Sequence, residues 1–343
     1  MKKISINDSE RMLRAVSRLG AIEKISLDVE STGLEYYDRI FAVILYTPQI
    51  SFYFNFNDLT EKHLDREHFK LFAPLFDNPN IKWFIHNAVF DLTMIMKEGI
   101  NLKGRVYCTM TLERVLQNNR LLYTLDHLAK EHGLPEKLSD EIKKYITKEH
   151  CITRHKIQGK RTPVRKMHFD FVPQDLMEKY GHLDGEICYL LGDRQRKEII
   201  LDDLKRVGKS ETDLTLVVAD MYMRGIKLDL SYCQAQFDKE LEEIHTLKQS
   251  FFTIFGQFSS ESRIILGKLF SENNLKVSST SKGRPSFSLS SLESIDHPLP
   301  KAILEIRKKE KFVGTYYSTY LTSHSESVIR PFPKQSGTET GRF

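Results

Sequence analysis

Along the first 56 residues the apolar positions fall in short β-branched and aromatic runs, which read as strands over Lys24 to Glu30, Arg39 to Tyr46 and Ser51 to Phe56. Ser31-Thr32-Gly33 and Thr47-Pro48-Gln49 separate them as turn signals, so the three predict an antiparallel meander. The period then lengthens. Asp65 to Phe76 sets Phe69, Phe72, Leu75 and Phe76 on one side of a helix, closed by Asp77-Asn78-Pro79-Asn80. Ile81 to His86 predicts a fourth strand and Asn87 to Glu98 a helix stopped by Gly99, with short helices at Thr109 to Gln117, Leu125 to His132 and Pro135 to Thr147. Strands followed by alternating helices and strands predict a mixed α/β sheet flanked by helices. A long helix is expected from Pro173 to about Ile200, with proline in the first turn, where its missing N–H costs nothing, and with Leu176, Leu183, Ile187 and Leu190 on the buried side. Beyond it the chain becomes mainly helical, over 211–256 and 300–322, with Ser-rich loops at 278–291. A boundary is expected near 203–210, giving domains 1–205 and 206–343 with no internal repeat.

A length of 343 residues accommodates these two domains. With 40% hydrophobic and 28% charged residues, disordered and collagen-like chains are excluded. The longest apolar runs, such as Ile40-Phe41-Ala42-Val43-Ile44-Leu45, are too short for a membrane span, and Met1-Lys2-Lys3-Ile4-Ser5 lacks the apolar stretch of a secretory signal, which implies a cytoplasmic protein. Cys108, Cys151, Cys188 and Cys233 form no C-x-x-C pair and read as isolated core thiols. The net charge of +5 gains meaning once located. Residues 251–343 hold thirteen basic against eight acidic side chains, and 143–168 hold nine against one, so two basic regions flank an acidic body. That layout suits a polyanion held beside an acidic, metal-binding centre, although two solvated surfaces would read the same.

Three sets of residues carry candidate chemistry. In Leu27-Asp28-Val29-Glu30 alternate residues share a face, so Asp28 and Glu30 lie side by side while Leu27 and Val29 enter the core. The repulsion between two such carboxylates would be removed by a divalent cation, and hard oxygen ligands suit Mg²⁺ or Mn²⁺; surface strands also carry acidic pairs by chance. In Phe84-Ile85-His86-Asn87-Ala88-Val89-Phe90-Asp91 a strand gives way to a helix that Asn87 is placed to cap, with Asp91 among core-facing neighbours. An acid in a first helical turn is also favoured by the macrodipole alone. Tyr180 and Asp184 stand at i and i+4 of the long helix, where a hydroxyl beside a carboxylate can orient a water, or form an ordinary exposed pair.

Taken together, the motifs resemble the DEDDy subclass of 3′–5′ exonucleases, whose ribonuclease H-like fold carries D-x-E, N-x-x-x-D and Y-x-x-x-D in this order. The resemblance implies that Asp28, Glu30, Asp91 and Asp184 hold two ions, Mg²⁺ or Mn²⁺, and that Tyr180 positions the attacking water. It implies release of 5′-nucleoside monophosphates from a single-stranded 3′ end, with Thr32, Leu34 and Asn87 touching the terminal nucleotide. The sister DEDDh group uses a histidine base, and His182 does not occupy that position.

After residue 205 the chain resembles the start of the polymerase portion of family A DNA polymerases, found in bacteria and phages. Leu216 to Asp229 looks like the helix following the exonuclease. Leu289, Pro298-Leu299-Pro300, Ile303 to Arg307, Lys311 and Thr315-Tyr316 look like thumb helices that grip primer-template DNA, and Gly337 to Phe343 is similar to the G-T-x-T-G-R segment opening the palm, with Arg342 as a DNA contact. The family's palm carboxylates and fingers are not in this sequence, so the expectation is a proofreading exonuclease unable to polymerise alone, whether by truncation, by a prematurely ended gene or as one half of a split polymerase, with a split gene and a second chain carrying palm and fingers favoured over a truncation. A phage-encoded member would work in the cytoplasm of its bacterial host. The alternatives are an RNA-trimming exonuclease and a non-catalytic DNA-binding subunit. The basic insert, with Arg161, Arg165 and Lys166, reads as a loop or hairpin on single-stranded DNA, or else as a solvated or subunit-binding loop.

Overall fold

The computed structural model describes residues 1–146, 152–155, 164–256, 259–335 and 338, and divides into two compact units. The first unit opens with strand β1 (Lys2–Ile6) and helix α1 (Ser9–Leu19), where the sequence pattern predicted only strands. Asp8 caps α1 by accepting the Arg11 N–H at 2.9 Å, and Met12, Ala15, Val16 and Leu19 form its buried stripe. Strands β2 (Lys24–Ser31), β3 (Ile40–Tyr46) and β4 (Ile50–Asn55) make the expected antiparallel meander. The Asp65–Phe76 stretch is a 3₁₀ segment, Arg66–Phe72, running into helix α2 (Ala73–Phe76). Strand β5 (Lys82–Ile85), helix α3 (Ala88–Lys97) and strand β6 (Arg105–Cys108) follow. The sheet order is β1-β4-β3-β2-β5-β6, with β1, β5 and β6 added in parallel pairings.

Helices cover both faces, so β3 and β4 are buried throughout. On one face Val43, Leu45, Phe52 and Phe54 pack with α1, α2 and α3, where Phe72 stacks on Phe76 at 5.1 Å and Phe76 meets Trp83 edge-on at 5.4 Å. The other face carries α4 (Thr109–Leu116), α5 (Leu125–Glu131), α6 (Ser139–Ile146) and the long α7 (Gln174–Leu201). Between α6 and α7 the basic insert forms an antiparallel pair of strands, β7 (Ile152–His155) and β8 (Val164–Met167).

Helix α8 (Lys205–Arg224) belongs by its packing to the first unit: Val218 and Ala219 sit in the sheet's core. The compact units therefore part at Gly225, at the end of α8 and not at the boundary expected near 203–210, and the long helix expected over 211–256 is broken there. The second unit contains β9 (Ile226–Lys227), α9 (Leu230–Phe255), α10 (Arg263–Glu272), α11 (Leu289–Glu293), α12 (Pro298–Lys311), a π-helical turn at Phe312–Tyr317, α13 (Ser318–Thr322) and β10 (Val328–Ile329), which pairs with β9. Its core gathers Phe251, Leu266, Phe270, Leu292, Leu299, Ile303 and Ile306. Two of its basic residues are engaged within the unit: Arg307 donates to the carbonyls of Ser260 and Phe287, both at 2.6 Å, and Lys309 pairs with Glu240 and Glu243. Among the described residues no helix is long and apolar enough to cross a membrane, and Cys108, Cys188 and Cys233 are buried free thiols.

Candidate active site

Strand β2 sends Ile25, Leu27 and Val29 into the core, leaving Ser26, Asp28 and Glu30 on the opposite face. That face meets α7, and the Ser26 hydroxyl donates to the Gly185 carbonyl at 2.6 Å. The helix comes this close because it presents glycine. A Cβ at Gly181 would stand 2.8 Å from Ile44 Cγ1, and one at Gly185 would stand 3.1 Å from Tyr46 Cβ. Tyr180 and Asp184, each next to one of these glycines, are thereby carried onto the strand. From the other side Asp91, in the first turn of α3, accepts the Val29 N–H at 2.9 Å. That amide is free for it because β5 pairs with β2 only over Lys24 to Ser26. Three elements thus bring four carboxylates and a phenol into one recess.

The recess is costly to charge. Burial first, then the charge of Asp184, pushes Asp28 up to about 7. Glu30 and Asp91 lie well above the usual carboxylate range, each by burial and then by Asp28. Asp184 is raised by burial, against the pull of Lys137 and Tyr180. Burial and the nearby acids also push the Tyr180 hydroxyl far up, so it stays protonated at neutral pH. Among the described residues, the cation acting on Asp28, Glu30 and Asp184 together is Lys137, from the connection between α5 and α6. Its ammonium is ion-paired to Asp184 Oδ2 and lies 4.9 Å over the Tyr180 ring. Burial works against its charge, but the carboxylates outweigh that and raise its pKa. No sequence signal singles out Lys137; only the fold brings it here.

The donor set fits a divalent ion. All four acids offer hard oxygens, and Asp184 Oδ1 is buried with no hydrogen-bond partner. Among the described residues, a tight trio of ligating groups occurs instead at Asp65, Glu67 and His68, whose atoms lie within 4.8 Å of one another. This trio is the N-terminal cap of the 3₁₀ segment, with the Asp65 N–H donating to His68 Nδ1 at 3.1 Å, so capping already accounts for it.

Around the recess, Thr32 is buried and holds its own loop: its hydroxyl donates to Asp38 Oδ1 at 3.0 Å and accepts the Arg39 N–H at 3.2 Å. Leu34, at the tip of that loop, is 76% exposed. Asn87 precedes α3 in a left-handed conformation, φ 57°, and its side chain makes no capping bond, contrary to the expected cap; short polar asparagine tolerates this backbone. Arg165 and Lys166 stand on β8, opposite Arg154 and Thr153 of β7. Arg161 and Arg342 lie outside the described residues.

The sheet order, the helices on both faces and the helical second unit define a ribonuclease H-like exonuclease fold followed by a helical region. The 3′–5′ exonuclease family model matches residues 4–199. The chain belongs to this family, the 3′–5′ exonuclease domain of family A DNA polymerases. It is 27% identical over 347 residues to "DNA polymerase DpoZ" of Acinetobacter phage SH-Ab 15497, covering 93% of this chain and 52% of that protein. It is also 27% identical over 269 residues to "DNA polymerase I" of Synechocystis, covering 76% of this chain and 26% of that one. The chain thus spans about half the length of the phage relative and a smaller part of the bacterial one. Among solved structures, "POL domain of Pol1 from M. smegmatis complex with DNA primer-template and dNTP" superposes with a TM-score of 0.74 at 16% identity, over 99% of this chain and 54% of that one.

Proposed function

We propose that this chain is a DEDDy-type 3′–5′ exonuclease that removes nucleotides from the 3′ end of DNA. The observation that carries the reading is the convergence of Asp28 and Glu30 from β2, Asp91 from α3 and Asp184 from α7 on one recess beside Tyr180. The four carboxylates would hold two Mg²⁺ or Mn²⁺ ions, which when bound supply charge neutralisation for the attacking and leaving oxygens of an in-line displacement. Asp91 is oriented for this by the Val29 amide, and Asp184 by the seating of α7. Tyr180, protonated at neutral pH, orients the attacking water by hydrogen bonding and does not remove its proton. Thr32 shapes the loop that presents Leu34 to a terminal nucleotide, with Asn87 alongside.

DNA as substrate, and a proofreading role beside a DNA polymerase activity, are supported by the names of the relatives. Degradation of a 5′-labelled single strand with Mg²⁺ is expected from the wild-type chain and not from Asp28→Ala or Asp184→Ala. Loss of a metal ligand removes several kcal/mol of transition-state stabilisation, a drop of about a thousandfold or more. Activity surviving both substitutions would overturn the assignment, and faster decay of RNA than of DNA would favour the RNA-trimming reading. Primer extension by material purified from the native host tests whether a second chain with palm and fingers accompanies it.

A further inference from the structure

Lys137 belongs to none of the motifs, yet it is the cation built into the recess. Its side chain is 10% exposed and that of Asp184 6%, so the pair is closed off from solvent. An ammonium is a compact point charge, and it satisfies one oxygen of Asp184 while the other, Oδ1, stays buried without a partner. Its tether permits movement. Leu134 to Leu138 carries no helix or strand between α5 and α6, and among the described residues the Lys137 side chain donates a hydrogen bond to Asp184 alone. Two cations cannot share one carboxylate cheaply in a recess with so little solvent to screen them.

We propose that Lys137 is the resident cation of the metal-free site: it occupies Asp184 in place of a divalent ion, holds the carboxylates together, and withdraws when the ion enters, thereby setting the site's metal affinity. This rests on the reading of the four carboxylates as metal ligands. Lys137 is a positioning residue, since it acts through Asp184.

The prediction runs opposite to that for a structural lysine, whose loss would loosen the ligands and weaken metal binding. Titration calorimetry of the full chain with Mn²⁺ at neutral pH should show Lys137→Met binding about tenfold or more tightly than wild type, with Lys137→Arg close to wild type because it keeps the charge. Equal or weaker Mn²⁺ binding by Lys137→Met would overturn the proposal. Should that variant not fold without metal, the wild-type chain provides a second measurement. The ¹⁵N signal of the Lys137 ammonium, protected by Asp184, should shift and lose protection as Mg²⁺ is added; a signal unmoved while neighbouring amides respond to Mg²⁺ refutes withdrawal. These readouts separate the two ideas. Nuclease activity that disappears in Asp28→Ala, together with unchanged Mn²⁺ affinity in Lys137→Met, sinks only the Lys137 role. Tighter Mn²⁺ binding in a chain whose nuclease activity survives Asp28→Ala sinks only the exonuclease assignment.

Discussion

The imidazole of His182 is 4% exposed, and its Nδ1 lies 2.7 Å from the Ser51 hydroxyl on β4. Burial pushes its pKa down to about 4. A histidine depressed in the folded state contributes stability that is full above the unfolded pKa of about 6.5 and is lost as pH falls toward 4, because the unfolded chain takes the proton first. The carboxylates of the recess have the opposite sign. Raised in the fold, they favour folding below their unfolded pKa and oppose it as pH rises toward the value of about 7 for Asp28. The two effects overlap in wild type, so the histidine must be read as a difference between slopes. Between pH 7 and pH 4.5, wild type should lose about 2 to 3 kcal/mol more than His182→Gln in metal-free urea unfolding. Parallel losses in the two proteins would mean that His182 is protonated as easily folded as unfolded.

Helix α7 shows how one element sets the site without supplying all its chemistry. Its buried face runs through Met177, Gly181, Asp184, Gly185, Cys188 and Gly192, with Ile187 the single member shared with the leucine-marked side expected from the sequence. Leu176 and Leu183 are only half-buried and Leu190 is 37% exposed, because close approach to the sheet selects small residues and glycine carries little hydrophobic signal. The meander and the D-x-E strand were legible, since Leu27 and Val29 alternate strictly with Asp28 and Glu30. Helix α1 was passed over even though Asp8 and the Met12, Ala15, Val16, Leu19 spacing were visible, because charged residues dilute its apolar stripe. Lys137 was not legible at all, for its partners lie in other elements. The glycine argument can be tested by size. Gly185→Val, whose branches would press on Tyr46 and Ile44, should cost about 1 to 3 kcal/mol by overpacking and reduce Mn²⁺ affinity although no ligand is altered. Gly185→Ala should cost less, since helix propensity offsets part of the squeeze. A valine variant with wild-type melting and metal binding would show that α7 has room to spare.

On the scale of the whole molecule, the first unit is closed by chain from far along the sequence: Arg330 to Gln335 returns to it after the second unit has been completed. The Arg330 guanidinium lies 3.4 Å over the Tyr36 ring, which Lys97 of α3 also covers at 5.4 Å, so the strap braces the loop that follows Asp28 and Glu30. Phe332 meets Tyr222 of α8 edge-on at 5.6 Å. Gln335 is 5% exposed and fully engaged, its amide donating to the Glu211 carbonyl and, at 2.7 Å, to the Glu211 carboxylate, while its side-chain oxygen accepts from Thr215 at 3.1 Å. Its backbone carbonyl takes the Arg114 guanidinium at 2.6 Å. Truncating this side chain removes its hydrogen bonds to Glu211 and Thr215 of α8 without touching the carboxylates of the recess, at a cost of about 1 kcal/mol for each bond lost, the Thr215 hydroxyl keeping the Glu211 carbonyl as a partner at 3.0 Å. Gln335→Ala should therefore speed hydrogen exchange at the amides of Glu211 to Thr215 and lower the chain's melting temperature, while exchange at Ile303 and Ile306 in the second unit's core stays as in wild type. Unchanged exchange across α8 would mean that the strap rests on the first unit without stabilising it, and equal acceleration in α12 would mean that the two cores open together.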